Sequence, residues 1–408
     1  MSHALLTALC SVPTAPFAEY RVAAFVEAFV AGRPRLALAR DAFGNLLIEL
    51  KGTGGPALPR WVFTAHMDHP GFTARRMLEP GLLEAEFRGY VLADYFPGQR
   101  IRFFGGGGGG ANDGGETVGT VVDVTIGKER KVPETVRLRV KRPVAAGTIG
   151  MWDQSAALEK AGKFYSRACD DLAGAAAALA MLDQLHRKPP ASTVAVLLTR
   201  AEEEGFVGAI AASLKPKLLR RTDNVIAIEC SAMQPYAPQG KGAIIRIGDR
   251  TSVFNSDLTY FLTQQAEALK TAGERKDAAR AEPKQKAAAK AAGATKPAGT
   301  AKPASVPFQF QRALMPGGTC EATVYDAYGF RAASICVALG NYHNMDQAKR
   351  RIGPEYIDLA DWDGMVKLFV RVAREGHTHE PGLKQLKQRV EKRFNALRHL
   401  LDNAVAGK

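Results

Sequence analysis

The sequence has 408 residues, of which 46% are hydrophobic, so it is long enough to bury a large core and to form two domains. Its five cysteines show no Cys-x-x-Cys spacing, which excludes a zinc ribbon and a disulfide-stapled scaffold and predicts reduced thiols. No run approaches the roughly 20 apolar residues of a membrane-spanning helix, and no signal peptide is indicated. We therefore expect a soluble, cytoplasmic protein without a membrane partner.

The formal net charge of +14 is the one feature of the composition that suggests nucleic-acid binding. Much of this surplus is local, because residues 270–305 hold nine Lys or Arg and three acids among many alanines. The stretch has no aromatic residue on which a base could stack and too little apolar bulk to form a core. We interpret it as a solvated low-complexity insertion, helical near its start, rather than as a basic arm, and we expect no nucleic-acid partner.

The first elements in chain order are helical and then extended. Apolar residues three and four apart in residues 5–32 predict a helical cap. Apolar runs on either side of Gly44 predict a hairpin, and RWVFTAH, residues 60–66, predicts a buried strand. From about 75 to 165, short β-rich runs alternate with turns, which predicts an inserted β domain. The glycine run 105–110 within it lacks the Gly-Lys-Ser/Thr ending of a phosphate loop, so we interpret it as a hairpin tip.

The second half of the chain alternates buried strands with helices. STVAVLLTR, NVIAIEC and AASICVALG are predicted strands, and helices are predicted at 172–188, around Ala211 and at 357–374. This alternation predicts an α/β fold with a mostly parallel central sheet and helices on both faces. The predicted units are an α/β catalytic domain of residues 1–74 and 166–380, the inserted β domain of 75–165, and a C-terminal helix of 381–408.

Polar residues follow the predicted strands at the points where the strands end, and active sites of such sheets form at that edge. His66 closes the strand WVFTAH, and Asp68 lies two residues further on, on the same side of an extended chain. The histidine can therefore bind a metal while the aspartate orients its ring. A capping histidine beside a turn aspartate is the alternative for this pair alone.

Carboxylates accumulate at the other strand ends. Asp170 and Asp171 precede a helix, where an acid is electrostatically favoured and can also act as a cap. Glu202–Glu204 follow a buried strand, and three negative charges so close together are costly without a cation or a shared proton. Glu229 and His343 close the next two strands. This mixed nitrogen and oxygen set suits zinc, cobalt or manganese, although independent caps and solvated turns are the alternative.

Several segments, in order, resemble the motifs of the M42 aminopeptidases, the glutamyl and tetrahedral aminopeptidase family. FTAHMDHPGF resembles their AHMDEIGF-type motif, CDDLAG their DDRAG motif, AEEEGFVGA their EEVGLRGA motif and MPGGTCEAT their GGTDA segment. GNYHNM matches the place of the family's final histidine ligand. The resemblance extends from about Leu5 to Arg374 and includes a β domain between the first two motifs.

The resemblance implies a centre of two divalent metal ions, zinc or cobalt. His66 would bind one ion and His343 the other, while Asp170 would bridge them. Glu203 would be a ligand of one ion and Glu229 the carboxylate ligand of the other. Ions in these positions would polarise the scissile carbonyl and acidify a bridging water.

The resemblance also implies the catalytic residues. Glu202, three residues before Gly205, would be the general base that takes a proton from the bridging water and passes it to the leaving amine. Asp68, which its spacing places behind His66 to orient the ring, is the second catalytic residue that we predict. A cis peptide bond would lie between Asp170 and Asp171.

The sequence departs from the family pattern at several positions. His69 replaces the usual acid after HMD, Glu229 stands where aspartate is common, and Cys320-Glu321 interrupts the GGTDA segment. We interpret His69 as a residue behind the ligands rather than as a third histidine ligand. The thiol of Cys169 has no evident base beside it, so we interpret it as packed rather than nucleophilic.

The predicted function is that of a metallopeptidase, an aminopeptidase that acts on short peptides and forms a homo-oligomer, as members of the family do. A carboxypeptidase or amide deacylase with the same two metals is one alternative, because such relatives have glutamate at the position of Glu229. A non-catalytic metal-binding protein or basic scaffold is another. Glu202 argues against it, since a site that only binds has no need of a base.

Overall fold

The computed structural model describes residues 3–105, 115–128, 132–214, 216–290 and 307–405. Most of the predicted glycine hairpin tip, residues 106–110, lies outside the described residues, as does the end of the predicted insertion, 291–305. The helices are α1 Ala4–Cys10, α2 Tyr20–Ala31, α3 Leu172–Leu185, α4 Val207–Leu214, α5 Ser256–Lys290, α6 Glu321–Ala327, α7 Leu359–Glu375 and α8 Lys384–Val405.

The strands follow in chain order. They are β1 Leu36–Arg40, β2 Leu46–Leu50, β3 Trp61–His66, β4 Gly71–Glu79, β5 Leu82–Arg88, β6 Arg100–Phe103, β7 Thr117–Ile126, β8 Pro133–Val140, β9 Ile149–Trp152, β10 Leu158–Lys160, β11 Lys163–Ser166, β12 Val194–Thr199, β13 Asn224–Ala232, β14 Ala243–Gly248, β15 Phe310–Leu314, β16 Arg331–Leu339, β17 Met345–Asp346, β18 Arg351–Ile352 and β19 Glu355–Asp358.

An eight-stranded sheet lies at the centre of the α/β region, in the order β1-β2-β12-β3-β13-β16-β14-β15. Its four middle strands, β12, β3, β13 and β16, run parallel, and so does the edge pair β14 and β15. The other three neighbouring pairs are antiparallel. The sheet is therefore mixed, and the predicted parallel arrangement holds for its middle. The predicted hairpin is β1 and β2, whose turn is closed by backbone N–H groups that donate to the Asp41 carboxylate.

Helices cover both faces of this sheet. Helices α1, α3, α5 and α7 share one core with it, and α4 and α6 share another on the opposite face. Helix α3 consists largely of alanine and is buried on almost every side, because its small side chains let the sheet, α1 and α7 all approach closely. Trp362 of α7 donates a hydrogen bond of 2.9 Å to the carbonyl of Ala173, which joins the two helices.

A separate six-stranded barrel closes in the order β4-β5-β8-β7-β6-β9. Alternate side chains along its strands point inward, as a half-buried strand requires. Phe72, Phe87, Phe96 and Trp152 fill the interior, with ring centroids as close as 4.9 Å. The barrel begins at Gly71, so the chain enters it within a few residues of the end of β3.

Two further features lie outside the sheet and the barrel. Strands β10 and β11 pair with β19 in a three-stranded sheet, which brings the chain back from the barrel. Helix α5 continues to Lys290, so the predicted insertion begins as a helix, and its Lys270 and Arg275 are exposed. No helix in the described ranges is both long and apolar enough to cross a membrane.

Candidate metal centre

The parallel strands end together at one edge of the central sheet, and the predicted ligands lie there. Strand β3 ends at His66, and β12 leads into a short 3-10 turn, Glu202–Glu204. Strand β13 carries Glu229, and the chain beyond β16 turns back through His343. Asp170 precedes α3 at the same edge. These five ligand positions are buried, with 1 to 7% of each residue exposed.

His66, Asp170 and Glu229 form a first group of donors. Each offers one ligand atom, and the three atoms lie within 4.8 Å of one another. The Nε2 atom of His66 is 3.6 Å from Oδ1 of Asp170. Strand β13 continues to Ala232, so Glu229 lies within the strand and not at its end as the sequence suggested. It still reaches the edge, because β13 pairs with β3 only as far as Ala227.

Asp170, Glu203 and His343 form a second group, which also lies within 4.8 Å. The Nε2 atom of His343 is 3.3 Å from Oε2 of Glu203 and 3.8 Å from Oδ2 of Asp170. Asp170 thus belongs to both groups, with one oxygen towards each histidine. The structure brings all five predicted ligands together around this one carboxylate.

Unsatisfied buried oxygens test whether these residues fit a metal. Oδ1 of Asp170, Oε1 of Glu203 and Oε1 of Glu229 are buried and have no hydrogen-bond partner. Three unsatisfied carboxylate oxygens in so small a volume are costly unless a cation balances them. Two imidazoles complete a donor set of the kind that zinc and cobalt prefer, so the residues fit divalent metal binding.

The imidazoles are oriented by backbone carbonyls. Nδ1 of His66 donates to the carbonyl of Asp68 over 3.1 Å, and Nδ1 of His343 donates to the carbonyl of Tyr90 in the barrel region over 2.7 Å. In both rings Nε2 is left to face the carboxylates. Hydrogen bonds to the second ring nitrogen are the usual way in which a metal-binding histidine is held.

The carboxylate of Asp68 makes contacts that its predicted role did not include. It lies 3.5 Å from Nδ1 of His66, but its hydrogen bonds are with the backbone N–H groups of Glu202 (3.0 Å) and Glu203 (3.1 Å). It therefore holds the 3-10 turn against the end of β3. The sequence could not indicate this contact, because it joins residues more than 130 positions apart.

Of the three consecutive glutamates, Glu202 and Glu203 face the centre, where one oxygen of each and a nitrogen of His66 lie within 4.8 Å of one another, and Glu204 faces elsewhere. Glu203 faces His343, whereas Oε2 of Glu202 lies 4.0 Å from Nε2 of His66. Glu204 turns towards the barrel, where it accepts the N–H of Gly89 over 2.7 Å. The charge crowding noted in the sequence is therefore divided between the centre and the barrel.

Glu355 is a buried residue of the site that the sequence analysis did not single out. Its Oε2 accepts the backbone N–H groups of Cys169 (2.7 Å) and Asp170 (3.1 Å), and its Oε1 accepts that of His343 (2.8 Å). One carboxylate thus joins two ligand-bearing segments. His343 and the residues on either side of it form a turn with positive φ at His343 (53°), and the bond from Glu355 helps to hold this strained conformation.

His69 joins the same two segments. Its Nδ1 donates to the carbonyl of Asp170 over 2.6 Å, and its Nε2 lies 3.0 Å from Oδ1 of Asn344. Both ring nitrogens of His69 therefore have hydrogen-bond partners, which agrees with its interpretation as a residue behind the ligands.

The sequence analysis missed Glu355 because no motif marked it. An isolated acid on a short strand has no local signal.

Asp171 differs from its predicted capping role. It is the residue before α3, but its side chain makes no capping hydrogen bond, and it lies instead in a further donor group with Asp170 and Cys230. Burial raises the pKa of the Asp171 carboxyl well above its usual value. The peptide bond between Asp170 and Asp171 is cis, as the family resemblance implied.

The titration of the centre reflects its crowded negative charge. Burial, reinforced by the Asp170 carboxylate, raises the pKa of Glu229 to about 8. Burial also raises the pKa of Glu202 well above its usual value, with Glu229 and Glu203 adding to the effect. Burial alone would lower the pKa of His343, but the carboxylates of Glu203 and Asp170 outweigh it and raise this pKa to about 9. Without a cation, these raised pKa values favour the protonated forms of Glu202, Glu229 and His343.

Metal binding should therefore release protons and strengthen as the pH rises. Glu229 and His343 have raised pKa values of about 8 and about 9, so protons occupy them at pH 7 and an entering Zn²⁺ must displace these protons. We expect affinity to increase from pH 6.5 to pH 9, measured by calorimetry in buffers of different ionisation enthalpy. An affinity that does not change over this range would contradict the protonated state of the donors.

Replacing Glu355 should weaken metal binding without unfolding the protein. In Glu355→Gln an amide NH₂ faces one of the backbone donors, so Asp170 or His343 loses its support, and we expect about 10- to 100-fold lower zinc affinity in a competition titration. Asp223→Asn is the matched control. Asp223 is a fully buried carboxylate at the opposite edge, bonded to Arg60 and to the N–H of Arg220. This control should lose stability but keep its zinc affinity, and equal affinities for the two variants would refute the positioning role.

A known family matches the segment of the chain that carries four of the five candidate ligands. The family model described as M42 glutamyl aminopeptidase matches residues 44–275, a span that includes His66, Asp170, Glu203 and Glu229. No curated protein matched the chain.

Solved structures share the fold of the chain. The aminopeptidase APDkam598 from the archaeon Desulfurococcus kamchatkensis is 19% identical, with 91% of this chain and 94% of that chain covered and a TM-score of 0.67. The TET1 peptidase of Pyrococcus horikoshii, described as assembling into a tetrahedron or a large octahedral shell, is 18% identical, with coverages of 91% and 99% and a TM-score of 0.65. A TET aminopeptidase from a marine sediment thaumarchaeote is 16% identical, with coverages of 92% and 98% and a TM-score of 0.65.

Identities this low show a common fold only, so the family assignment rests on the family model. That model covers more than half of the 408 residues and contains the donor residues of the β3, α3, β12 and β13 segments. The chain accordingly belongs to the M42 glutamyl aminopeptidase family and is a metal-dependent aminopeptidase.

Proposed function

We propose that this protein is a two-metal aminopeptidase that acts on short peptides. The observation that carries the proposal is the pair of donor groups that share Asp170. His66, Asp170 and Glu229 would hold one divalent ion, and Asp170, Glu203 and His343 would hold the other. The mixed imidazole and carboxylate donors favour zinc or cobalt.

Metal-dependent peptide hydrolysis requires a Lewis acid that polarises the peptide carbonyl and a base that accepts a proton from the attacking water. Divalent ions held by the two groups would supply positive charge that polarises the peptide carbonyl and makes a nearby water more acidic. Glu202 borders the first group but belongs to neither ligand set proposed above. Its carboxylate is suited to accept the proton of the attacking water and to transfer it to the leaving amine.

The turn that carries Glu202 is held from both sides. The Asp68 carboxylate accepts the N–H groups of Glu202 and Glu203, and the buried Glu19 carboxylate accepts the N–H of Ala201 over 3.0 Å. Glu19 is itself paired with Arg200 over 2.7 Å. This support keeps the base in place before substrate arrives, which lowers the cost of reaching the reactive geometry.

Glu202→Gln should bind metal normally and lose turnover. The amide keeps the shape of the side chain but cannot accept a proton, so we expect kcat to fall by about 10²- to 10⁴-fold with little change in zinc content. Glu204→Gln is the matched control, since Glu204 faces the barrel, and it should stay within a few-fold of wild type. Wild-type kcat in Glu202→Gln, measured with aminoacyl anilides, would contradict the assignment of the base.

A cavity beside Glu229 indicates which residue the enzyme removes. Its lining includes Glu229, Arg246, Gly317, Gly318 and Thr319. Arg246 is only 3% exposed, and its Nε has no hydrogen-bond partner. Its guanidinium forms no ion pair or hydrogen bond with any other described residue.

The Arg246 guanidinium lies over the Phe254 ring at 5.8 Å, but no described carboxylate forms an ion pair with it, and this arrangement favours an anionic ligand. Burial of an unpaired charge is costly, and a carboxylate bound in a forked arrangement satisfies arginine best. The cavity adjoins Glu229, a proposed metal ligand, so a side chain next to the scissile bond would enter it. We therefore propose a preference for peptides with Glu or Asp at the amino terminus.

Arg246→Met should abolish the preference for acidic residues. Loss of a charge-assisted contact predicts about a 10- to 100-fold lower kcat/KM for Glu-anilide, while kcat/KM for Leu-anilide changes little. Arg220→Met, at an exposed arginine near the opposite edge, should change neither substrate. If Arg246→Met lowered kcat/KM for both substrates equally, Arg246 would have no role in selectivity.

N-acetylated peptides added to these substrates separate the alternative activities. An aminopeptidase cannot cleave a peptide whose amino terminus is acetylated, whereas a carboxypeptidase or deacylase would cleave it.

Assembly and location are further parts of the proposal. The homo-oligomer is supported by the fold shared with the TET1 peptidase, and a cytoplasmic location by five buried cysteines without a disulfide.

A further inference from the structure

The C-terminal helix α8 projects from the body of the protein. Its start is tied down, because the N–H of Gly382 donates to the carboxylate of Asp257 over 2.7 Å. Beyond that point every residue from Lys387 to Leu401 is exposed. The helix therefore extends for about four turns without burying a side chain against the rest of the described chain.

Large apolar side chains nevertheless form a stripe along α8, which we call the α8 stripe. It consists of Val390, Phe394, Leu397, Leu400 and Leu401, each between 46 and 61% exposed. Spacings of four, three and four residues place Val390, Phe394, Leu397 and Leu401 on one face, and Leu400 widens it. A contiguous apolar stripe on an otherwise free helix marks a surface for binding.

The charges around the stripe are almost all positive. Residues 384–401 contain six Lys or Arg and a single acid, Glu391. At 100° per residue, Lys387 and Arg398 border the stripe on one side, where Glu391 lies 3.8 Å from Lys387. On the other side, Arg393 lies between Leu397 and Leu400, and Arg389 lies beyond Leu400. Their long apolar stems can lie along the stripe while the charged ends reach outward.

The basic residues beside the α8 stripe favour one kind of binding partner over the others. A second copy of α8 would bring its own Lys and Arg borders against those of the first copy, and like charges would oppose pairing. A neutral apolar partner would leave the bordering charges unmatched. A stripe broader than a coiled-coil seam, with basic residues on both sides, fits an anionic bilayer surface instead.

We infer that α8 binds to anionic membrane surfaces, with the α8 stripe in the headgroup region and the bordering Lys and Arg on lipid phosphates. The helix would lie in the plane of the surface, since its charges prevent it from crossing. This inference is independent of the proposed catalytic mechanism, because no residue of α8 belongs to the metal centre. It would place the peptidase reversibly at a membrane, contrary to the expectation from the sequence that the protein has no membrane partner.

Vesicle sedimentation of the full-length protein tests the inference. We expect binding to phosphatidylcholine vesicles that contain 30% phosphatidylglycerol, weak binding to pure phosphatidylcholine, and loss of binding as salt is raised, because charge pairing is screened. Leu397→Glu with Leu401→Glu should reduce the partition coefficient at least about tenfold, and so should Arg389→Glu with Arg393→Glu. Val122→Glu with Leu158→Glu, at exposed apolar residues elsewhere, is the matched control and should bind like wild type.

Peptidase activity of each variant shows whether it is folded, since these positions lie on exposed surfaces away from the site. Equal binding to both kinds of vesicle, no binding to anionic vesicles, or unchanged binding of the stripe variant would overturn the inference. Sedimentation velocity adds a further check. If the stripe variant formed smaller assemblies than wild type, the stripe would be an interface between copies and the membrane inference would be wrong.

Discussion

The rest of the site depends on negative charge buried at the carboxyl edge of the central sheet. Asp170, Glu203 and Glu229 each keep a buried oxygen without a hydrogen-bond partner, within a few ångströms of two histidines. Taking a carboxylate out of water costs several kcal/mol unless an opposite charge compensates. The fold brings these groups together despite that cost. Cation binding is therefore linked to the stability of this edge as well as to catalysis.

The buried acids of this region divide into two kinds. Asp68 and Glu355 are satisfied by backbone N–H groups and join the segments that carry the proposed ligands, whereas Asp170, Glu203 and Glu229 each keep one oxygen without a hydrogen-bond partner. The barrel takes part in this arrangement. The carbonyl of Tyr90 orients His343, and the N–H of Gly89 draws Glu204 away from the centre. The loop after β5 thus helps to shape the site, although none of its side chains is a donor.

Much of the architecture could be predicted from the sequence, because hydrophobic period and turn residues act locally. The β1 and β2 hairpin, the buried strand that ends at His66 and the alanine-rich helix α3 all follow from such patterns. The antiparallel β14 within the otherwise parallel part of the sheet could not be predicted. Strand direction depends on how distant segments pair, and β14 itself contains no local feature that distinguishes the two directions.

The sequence by itself indicated which residues could form a metal centre, because strands of one parallel sheet end at a common edge and most of these polar residues follow such strands. Asp170 precedes a helix instead, and Glu229 lies within its strand. Only the tertiary structure decided how Asp170 is shared, how Glu202 and Glu203 differ, and that Glu355 supports two ligands from a separate strand. In the sequence, no feature distinguishes Arg246 from other strand residues. Its proposed role follows only from its position in the cavity beside Glu229. The physical reason is that hydrogen bonds and unpaired charges depend on contacts between segments far apart in the chain, which residue spacing does not encode.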